Sequence, residues 1–378
     1  MRVLILGSGQ LARMMYLAGC PLGIEVSAVD VKNHQVVNPV TKAPTGQTLA
    51  QAAEEASAIS AEFEHIPEDL LQQMEMTGKF YPGSQAILAG ADRVREKQLL
   101  EKLGIANCEH RIVDDAEQLD EAVAALGDKL ILKASRDGYD GYGQWRLTDR
   151  TDLSKLKKQL GSLDLTKVPL VVEKMLNFDR EVSLVGVRGK DGQLAFYPIA
   201  ENLHHDGQLH VSVAPAPNLT AELTEQAQHV FTKLAEELNY VGVLAVEFFQ
   251  IGDKLLVNEI APRVHNSGHW TMQGAENCQF ENHVRAVCGL PIGDTRSFGA
   301  SAMVNIIGYA SFEQNMLSIP GVHLHWYGKD VRPKRKMGHF NVRGEDYVQL
   351  GQRMLALSEH LPETHFPHLA SEARALIG

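Results

Sequence analysis

Apolar positions near the start of the chain fall into two short runs, 2–6 and 25–29, with helical spacing over 10–18 between them. The first run enters glycine and the second ends in Asp30, a pattern that predicts a β-α-β unit with parallel strands. A further strand is predicted over 57–64, with Glu62 and Glu64 at its carboxyl end and Pro67 opening the next helix. Residues 92–103 carry the spacing of an amphipathic helix. From there to about 170 the pattern breaks into short strands and glycine-rich turns, densest at RDGYDGYGQ (136–144). Strands are predicted over 169–188 and 194–214, then a long helix over 220–238. Two more strands, 241–251 and 254–260, meet at a turn around Gly252 and Asp253. A helix over 271–288 and a smaller strand-rich tail complete the pattern.

Charged residues inside these apolar runs point to chemistry. With the hairpin turn centred on Asp253, Glu247 falls opposite Glu259, each six positions away. Like charges facing across strands are unfavourable, and isolated charge in an apolar run is costly. A divalent cation between the two removes both problems, and oxygen ligands beside nucleotide phosphates suit Mg2+. A register shifted by one residue would instead send one glutamate to solvent. Lys133 interrupts an apolar strand, so its ammonium needs an anion or must reach water. The loop after it has glycines at 138, 141 and 143, which let backbone N–H groups approach phosphate oxygens. The lysine precedes the loop, so this is not a Walker A motif; an ordinary hairpin loop is the other reading.

Glu173 and Lys174 end an apolar strand, where a base or ribose could be gripped, and Glu181 lies in another strand pattern. Arg263, His265, Asn266 and His269 crowd a loop straight after Glu259. The two histidines are four apart, but Gly268 and the missing glutamate argue against a helical zinc site. GSGQLA nearly spells a dinucleotide fingerprint, with Asp30 to complete it. The alternative is a tight strand-to-helix turn whose helix N-terminus holds some other anion.

The chain has 378 residues, 44% hydrophobic and 22% charged, which allows two or three domains with a large core. A net charge of -11 argues against nucleic acid or an anionic membrane as the main partner. Cys20, Cys108, Cys278 and Cys288 are scattered, as in a reduced cytosolic protein. No signal-peptide pattern or membrane-length apolar run is present, so a cytoplasmic location is expected. Against that background Lys329, Arg332, Lys334, Arg335 and Lys336 form a basic run, either a solvated face or a phosphate clamp.

Taken in order, GxGQLARM, EFEH, LKASRDGYDGYGQ, EVSLVG, NLHHDGQ, NEIAPRVHNSGHW and YGKDVRPKRKMGH resemble the N5-carboxyaminoimidazole ribonucleotide synthetase family over nearly the whole chain. The resemblance implies an α/β ATP-grasp fold with an α+β lid. Its parts would be a Rossmann-like N-terminal domain over 1–95, the lid over 96–170 and a larger domain over 171–378. It implies ATP-dependent carboxylation of 5-aminoimidazole ribonucleotide with bicarbonate in purine biosynthesis, without biotin, in a homodimer. ATP would meet Arg93, Lys133, Gly138, Tyr139, Asp140, Gly141, Tyr142, Gly143 and Gln144. It would also meet Glu173, Lys174, Met175, Leu176, Glu181, His204 and Asn258, with Glu247 and Glu259 holding Mg2+. Ala261 stands where many ATP-grasp enzymes carry asparagine, so Asn258 is the expected helper. The ribonucleotide would meet Gln10, Glu62 or Glu64, Tyr139, Lys329, Arg335 and Lys336. Bicarbonate would lie among Arg263, His265 and Asn266, and a carboxylate, Asp140 or Glu62 or Glu64, could orient the reacting amine. A formate-dependent glycinamide ribonucleotide transformylase is the alternative within the superfamily.

Overall fold

Three sheets follow one another along the chain, and the computed structural model describes residues 1–136 and 143–378. The first contains β1 (Arg2–Leu6), β2 (Glu25–Asp30), β3 (Gln35–Val37) and β4 (Ala58–Ala61) in the order β3-β2-β1-β4. β1 pairs in parallel with β2, as the apolar pattern predicts, and also with β4, and α1 (Gln10–Gly19) makes the first crossover. Helices α2 (Leu49–Glu55), α3 (Glu68–Glu75) and α4 (Ser84–Ala91) complete the unit. β4 stops at Ala61, so Glu62 and Glu64 lie beyond the strand rather than on one of its faces.

Helix α5 (Arg93–Lys102) begins where the sequence predicts, capped by the Asp92 carboxylate, which accepts the Val94 N–H. The second sheet follows, with β5 (His110–Val113), β6 (Leu130–Ala134), β7 (Gln144–Leu147) and β8 (Leu170–Lys174) in the antiparallel order β5-β8-β6-β7. Two helices missing from the sequence reading, α6 (Leu119–Leu126) and α7 (Leu153–Leu160), pack leucines against it. The buried core of this unit draws only on residues from Val113 to Val172. Because β8 lies between β5 and β6, the boundary expected at 170 falls inside this sheet, and the small unit continues through Lys174.

The third sheet has nine strands, all paired antiparallel. They are β9 (Arg180–Arg188), β10 (Leu194–Phe196), β11 (Ala200–His205), β12 (Gln208–Ala214), β13 (Gly242–Ile251), β14 (Lys254–Ala261), β15 (Ala300–Ile307), β16 (Val322–Trp326) and β17 (Lys336–Gly344). The order is β14-β13-β9-β11-β12-β15-β17-β16, with β10 paired to β9. Helix α8 (Ala221–Glu237) buries Leu223, Ala227, Phe231 and Leu234 beneath β9, β13 and β14, in a core that also takes Leu99 and Leu100 of α5. The single helix predicted over 271–288 is divided into α9 (Thr271–Gly274) and α10 (Gln279–Cys288). Between them the Glu276 and Asn277 N–H groups donate to the Arg296 and Asp294 carbonyls, which takes them out of any helical ladder. Helices α11 (Tyr347–Ser358) and α12 (Leu369–Ile377) cover the last strands, where the sequence reading has only a strand-rich tail. No helix among the described residues is long and apolar enough to cross a membrane.

α10 ties the first sheet to the third. The Val243 N–H donates to His283 Nδ1 at 3.1 Å, so the ring proton sits on Nε2, which lies 2.8 Å from Ser60 Oγ. Burial pushes this imidazole down to about 4, so it stays neutral while it bridges β13 and β4. A second close approach joins α4 to the segment after β14. A methyl added at Gly90 would come within 2.4 Å of Pro262 Cδ. Overpacking of this kind costs about 1–3 kcal/mol, more than the roughly 0.5–1 kcal/mol that alanine gains over glycine in a helix. Gly90→Ala is therefore expected to lower the urea midpoint with an unchanged m value. A raised midpoint would mean that propensity outweighs the contact.

Candidate active site

The β13–β14 hairpin turns at Gly252 and Asp253, with Ile251 paired to Lys254. A regular ladder from that turn carries Phe248 onto Val257 and would carry Glu247 onto Asn258. The register instead shifts by one, and Glu247 faces Glu259. The predicted pairing of carboxylates is therefore present, but by a different route. The turn centre lies half a residue before Asp253, and a bulge at Asn258 makes up the difference. Asn258 and Glu259 both line the cleft opposite Glu247. Burial first, and then the charge of Glu259, pushes Glu247 up to about 7.

Around this hairpin the polar groups are already ordered. His265 Nδ1 is 3.8 Å from Glu247, but burial and then the Arg263 charge hold the ring well below its usual pKa, so it is neutral. The Ser267 N–H donates to the same Nδ1, which leaves the proton on Nε2. Asn266 and Asn305 exchange amide hydrogen bonds of 3.1 and 2.6 Å. His204 lies 3.1 Å from Glu181; burial works to lower its pKa, but Glu181 together with Glu247 and Glu259 raises it. Arg93 approaches Glu259 at 3.8 Å.

Lys133, on β6, reaches the cleft from the small sheet. Its Nζ lies 3.3 Å from Asn258 Oδ1 and 2.6 Å from Glu173 on β8. Burial works against the ammonium, yet Glu173 more than compensates and raises its pKa. Burial would also raise Glu173, but Lys133 and Lys97 hold that carboxyl down at about 2. The side chain of Glu173 thus engages two lysines. Glu173, Lys174, Met175 and Leu176 are absent from the cleft lining, and Lys174 pairs at the surface with Glu109.

On the opposite wall, Glu62 accepts the N–H groups of Gly9 and of Ala12 (2.9 Å) at the start of α1. A dinucleotide pyrophosphate would need those same donors, which in the fingerprint-like GSGQLA turn are already engaged by the Glu62 carboxyl, whose pKa burial raises. A methyl at Gly7 or Gly9 would meet the Glu62 side chain at 2.4 or 2.8 Å. Glu64 instead pairs with Arg263 at 2.7 Å, linking the predicted acceptor side to the predicted bicarbonate side. Lys329 donates to Gln10 Oε1 at 2.5 Å, and burial, then Arg335, lowers its pKa to about 8.

These walls enclose a cleft of about 720 Å³, large enough for a nucleotide and a second small substrate. Its lining unites Gln10, Glu62, Glu64, Arg93, Lys133 and Gln144 with Glu181, His204 and Glu247. Asn258, Glu259, Arg263, His265, Asn266 and Lys336 complete the predicted set within it. Gly143, Lys329 and Arg335 are not in the lining; Arg335 donates to the Asp330 carbonyl. Gly138, Tyr139, Asp140, Gly141 and Tyr142 lie outside the described residues.

The sequence reading missed Phe178 and Phe249, whose rings stack at 4.5 Å in the cleft wall. Alternation along β13 carried the signal for Phe249, two residues after Glu247 and so on the same face. Glu96 was also missed; it lines the cleft from α5, where burial pushes its carboxyl up to about 8.

Comparison with known proteins places this geometry. Three families match in order: the ribonucleotide synthetase preATP-grasp domain over 1–90, the ATP-grasp domain over 98–280, and the phosphoribosylaminoimidazole carboxylase C-terminal domain over 301–353. N5-carboxyaminoimidazole ribonucleotide synthase of Vibrio vulnificus is 50% identical over 370 residues, covering 97% of each chain. The synthetase from Thermus thermophilus aligns with a TM-score of 0.84 at 40% identity, over 95% of this chain and 99% of that one. The Aspergillus clavatus synthase, solved with ADP and 5-aminoimidazole ribonucleotide, aligns with a TM-score of 0.81 at 29% identity, over 99% and 98%.

The facing carboxylates leave a pH signature in the metal-free protein. Glu247 has a folded pKa of about 7 against 4.5 when unperturbed. Between those values this carboxyl binds more proton in the native state than in the unfolded chain, so its own contribution to stability falls as pH rises through the window. Glu247→Gln should gain on the parent across that window, reaching on the order of 1–3 kcal/mol above pH 7. Urea unfolding in EDTA at several pH values measures this. Parallel profiles would mean that Glu247 is not the raised group.

Proposed function

The chain belongs to the N5-carboxyaminoimidazole ribonucleotide synthase family, ATP-grasp ligases of purine biosynthesis, and from that premise we propose how its cleft divides the reaction. ATP lies against Arg93, Lys133, Gln144, Glu181 and His204. Glu247 and Glu259, with Asn258 beside them, hold Mg2+. The observation that carries this reading is the carboxylate pair itself, opposed across the β13–β14 ladder with its buried member, Glu247, raised to about 7. Such a pair is unfavourable without a cation, and its all-oxygen donor set suits Mg2+. When bound, Mg2+ would offset charge on the transferred phosphoryl group.

Bicarbonate lies among Arg263, His265 and Asn266. Arg263 is oriented by Glu64, Asn266 by Asn305, and neutral His265 offers an Nε2–H donor. A bicarbonate oxygen attacks the γ-phosphorus as the bond to the ADP oxygen breaks, giving carboxyphosphate and ADP. Lys133 and Arg93 offset the phosphate charge during this step. Carboxyphosphate then releases phosphate to leave CO2. The exocyclic amine of 5-aminoimidazole ribonucleotide adds to CO2 and loses a proton, forming the carbamate. Enclosure matters, because water would destroy the intermediate. Asp140 is proposed to orient the amine, on the strength of the family resemblance. No biotin enters this scheme.

Lys336 lines the cleft at the start of β17, away from Lys133 in sequence, and is proposed to meet the ribonucleotide phosphate. Lys336→Ala should lower kcat/KM for 5-aminoimidazole ribonucleotide roughly ten- to hundred-fold at saturating ATP. ATP affinity without the acceptor should not change; an equal loss there would move Lys336 to the nucleotide. In the parent, ADP release should require bicarbonate together with 5-aminoimidazole ribonucleotide. Release with formate and glycinamide ribonucleotide instead would overturn the assignment.

A further inference from the structure

Glu173 gathers two lysines that come from different bodies of the molecule. Lys133 belongs to the same small sheet, on β6, at 2.6 Å. Lys97 reaches in at 2.7 Å from α5, whose Leu99 and Leu100 are embedded in the core beneath the large sheet. The Lys97 and Glu173 side chains are only 2% and 4% exposed. Among the described residues, Lys97 has no second carboxylate within ion-pair distance. Lys133 lines the cleft and Lys97 does not. Burying an ammonium is costly, and packing alone would be met by an apolar side chain of similar length.

A conflict would arise if Lys133 were the sole partner of Glu173. Phosphates entering the cleft draw the Lys133 charge toward themselves, and each gain there would leave a buried carboxylate less well paired. A second cation fixed on Glu173 from outside the cleft removes that opposition. We infer that Lys97 is a positioning residue for nucleotide binding: it retains the Glu173 carboxylate so that Lys133 is free to serve the phosphates, and it ties the small sheet to α5. This rests on the reading of Lys133 as a phosphate ligand. The low pKa of Glu173 fits the arrangement, since Lys97 stands beside Lys133 among the charges that offset its burial.

Calorimetric titration of the full chain with ADP and with adenosine tests it. Lys97→Met should weaken ADP about tenfold while adenosine, which has no phosphates, binds as before. Removing the carboxylate too, in Lys97→Met/Glu173→Gln, should recover most of the loss, because nothing then competes for Lys133. Unchanged ADP binding by folded Lys97→Met would overturn the inference. So would an equal loss for adenosine, which would make Lys97 a general docking contact. If Lys97→Met does not fold, the double variant decides, with ADP affinity within about threefold of the parent expected and a tenfold loss fatal. Lys133→Ala separates the two readings. If it leaves ADP binding intact, the phosphate role of Lys133 fails and takes the inference with it. If it weakens ADP while Lys97→Met does not, only the role of Lys97 fails.

Discussion

Asn258 is one residue more than a straight ladder between β13 and β14 can take, and the strand absorbs it just where Glu247 waits on the other side. Strict alternation would send Asn258 and Glu259 to opposite faces of the sheet. The bulge gives both to the cleft, so three oxygen-bearing side chains converge where a regular hairpin offers two. The other bodies of the protein are oriented to this point. Lys133 comes to Asn258 from the small sheet, and Arg93 comes to Glu259 from the start of α5. The cleft is arranged around an irregularity in the most regular part of the fold.

That dependence explains how the hairpin could be read correctly for an incomplete reason. Counting from Asp253 pairs the right glutamates, because an error of half a residue at the turn and an unseen bulge cancel. Apolar spacing carried β1, β2, α1 and α8 to within a residue or two, since each buries one continuous stripe or run, and it placed α5 although Glu96 and Lys97 share the buried face of that helix with Leu99 and Leu100. It failed for α6 and α7, two-turn helices whose leucines repeat too few times to stand out beside a glycine-rich loop. It failed again at 275–278, where backbone pairing with 294–297 breaks a helix that side-chain pattern alone would continue.

Within the site, the residues legible in the sequence were those that contradicted their surroundings, such as an acid or a lysine in an apolar strand. Lys97 and Glu96 contradicted nothing, because α5 is polar around most of its circumference and its buried positions look like a solvated face. Lys97 is buried against Glu173 of β8, an element far away in sequence. The fate of Glu173 was hidden for the same reason. It stands at a strand end, as expected, but its carboxylate turns toward charges that only tertiary structure supplies.

The turn after β1 shows how a shared backbone can be closed to a ligand class. Glycines at 7 and 9 admit a close neighbour, and the neighbour is Glu62 of the same chain. As part of the folded protein, that carboxylate is presented to the α1 amides at an effective concentration that a dissolved cofactor could not rival. The donors that a dinucleotide phosphate would use in this unit are therefore taken by an intramolecular competitor rather than absent. Redesigning the unit for a dinucleotide would have to begin with the eviction of Glu62, before any new recognition was added.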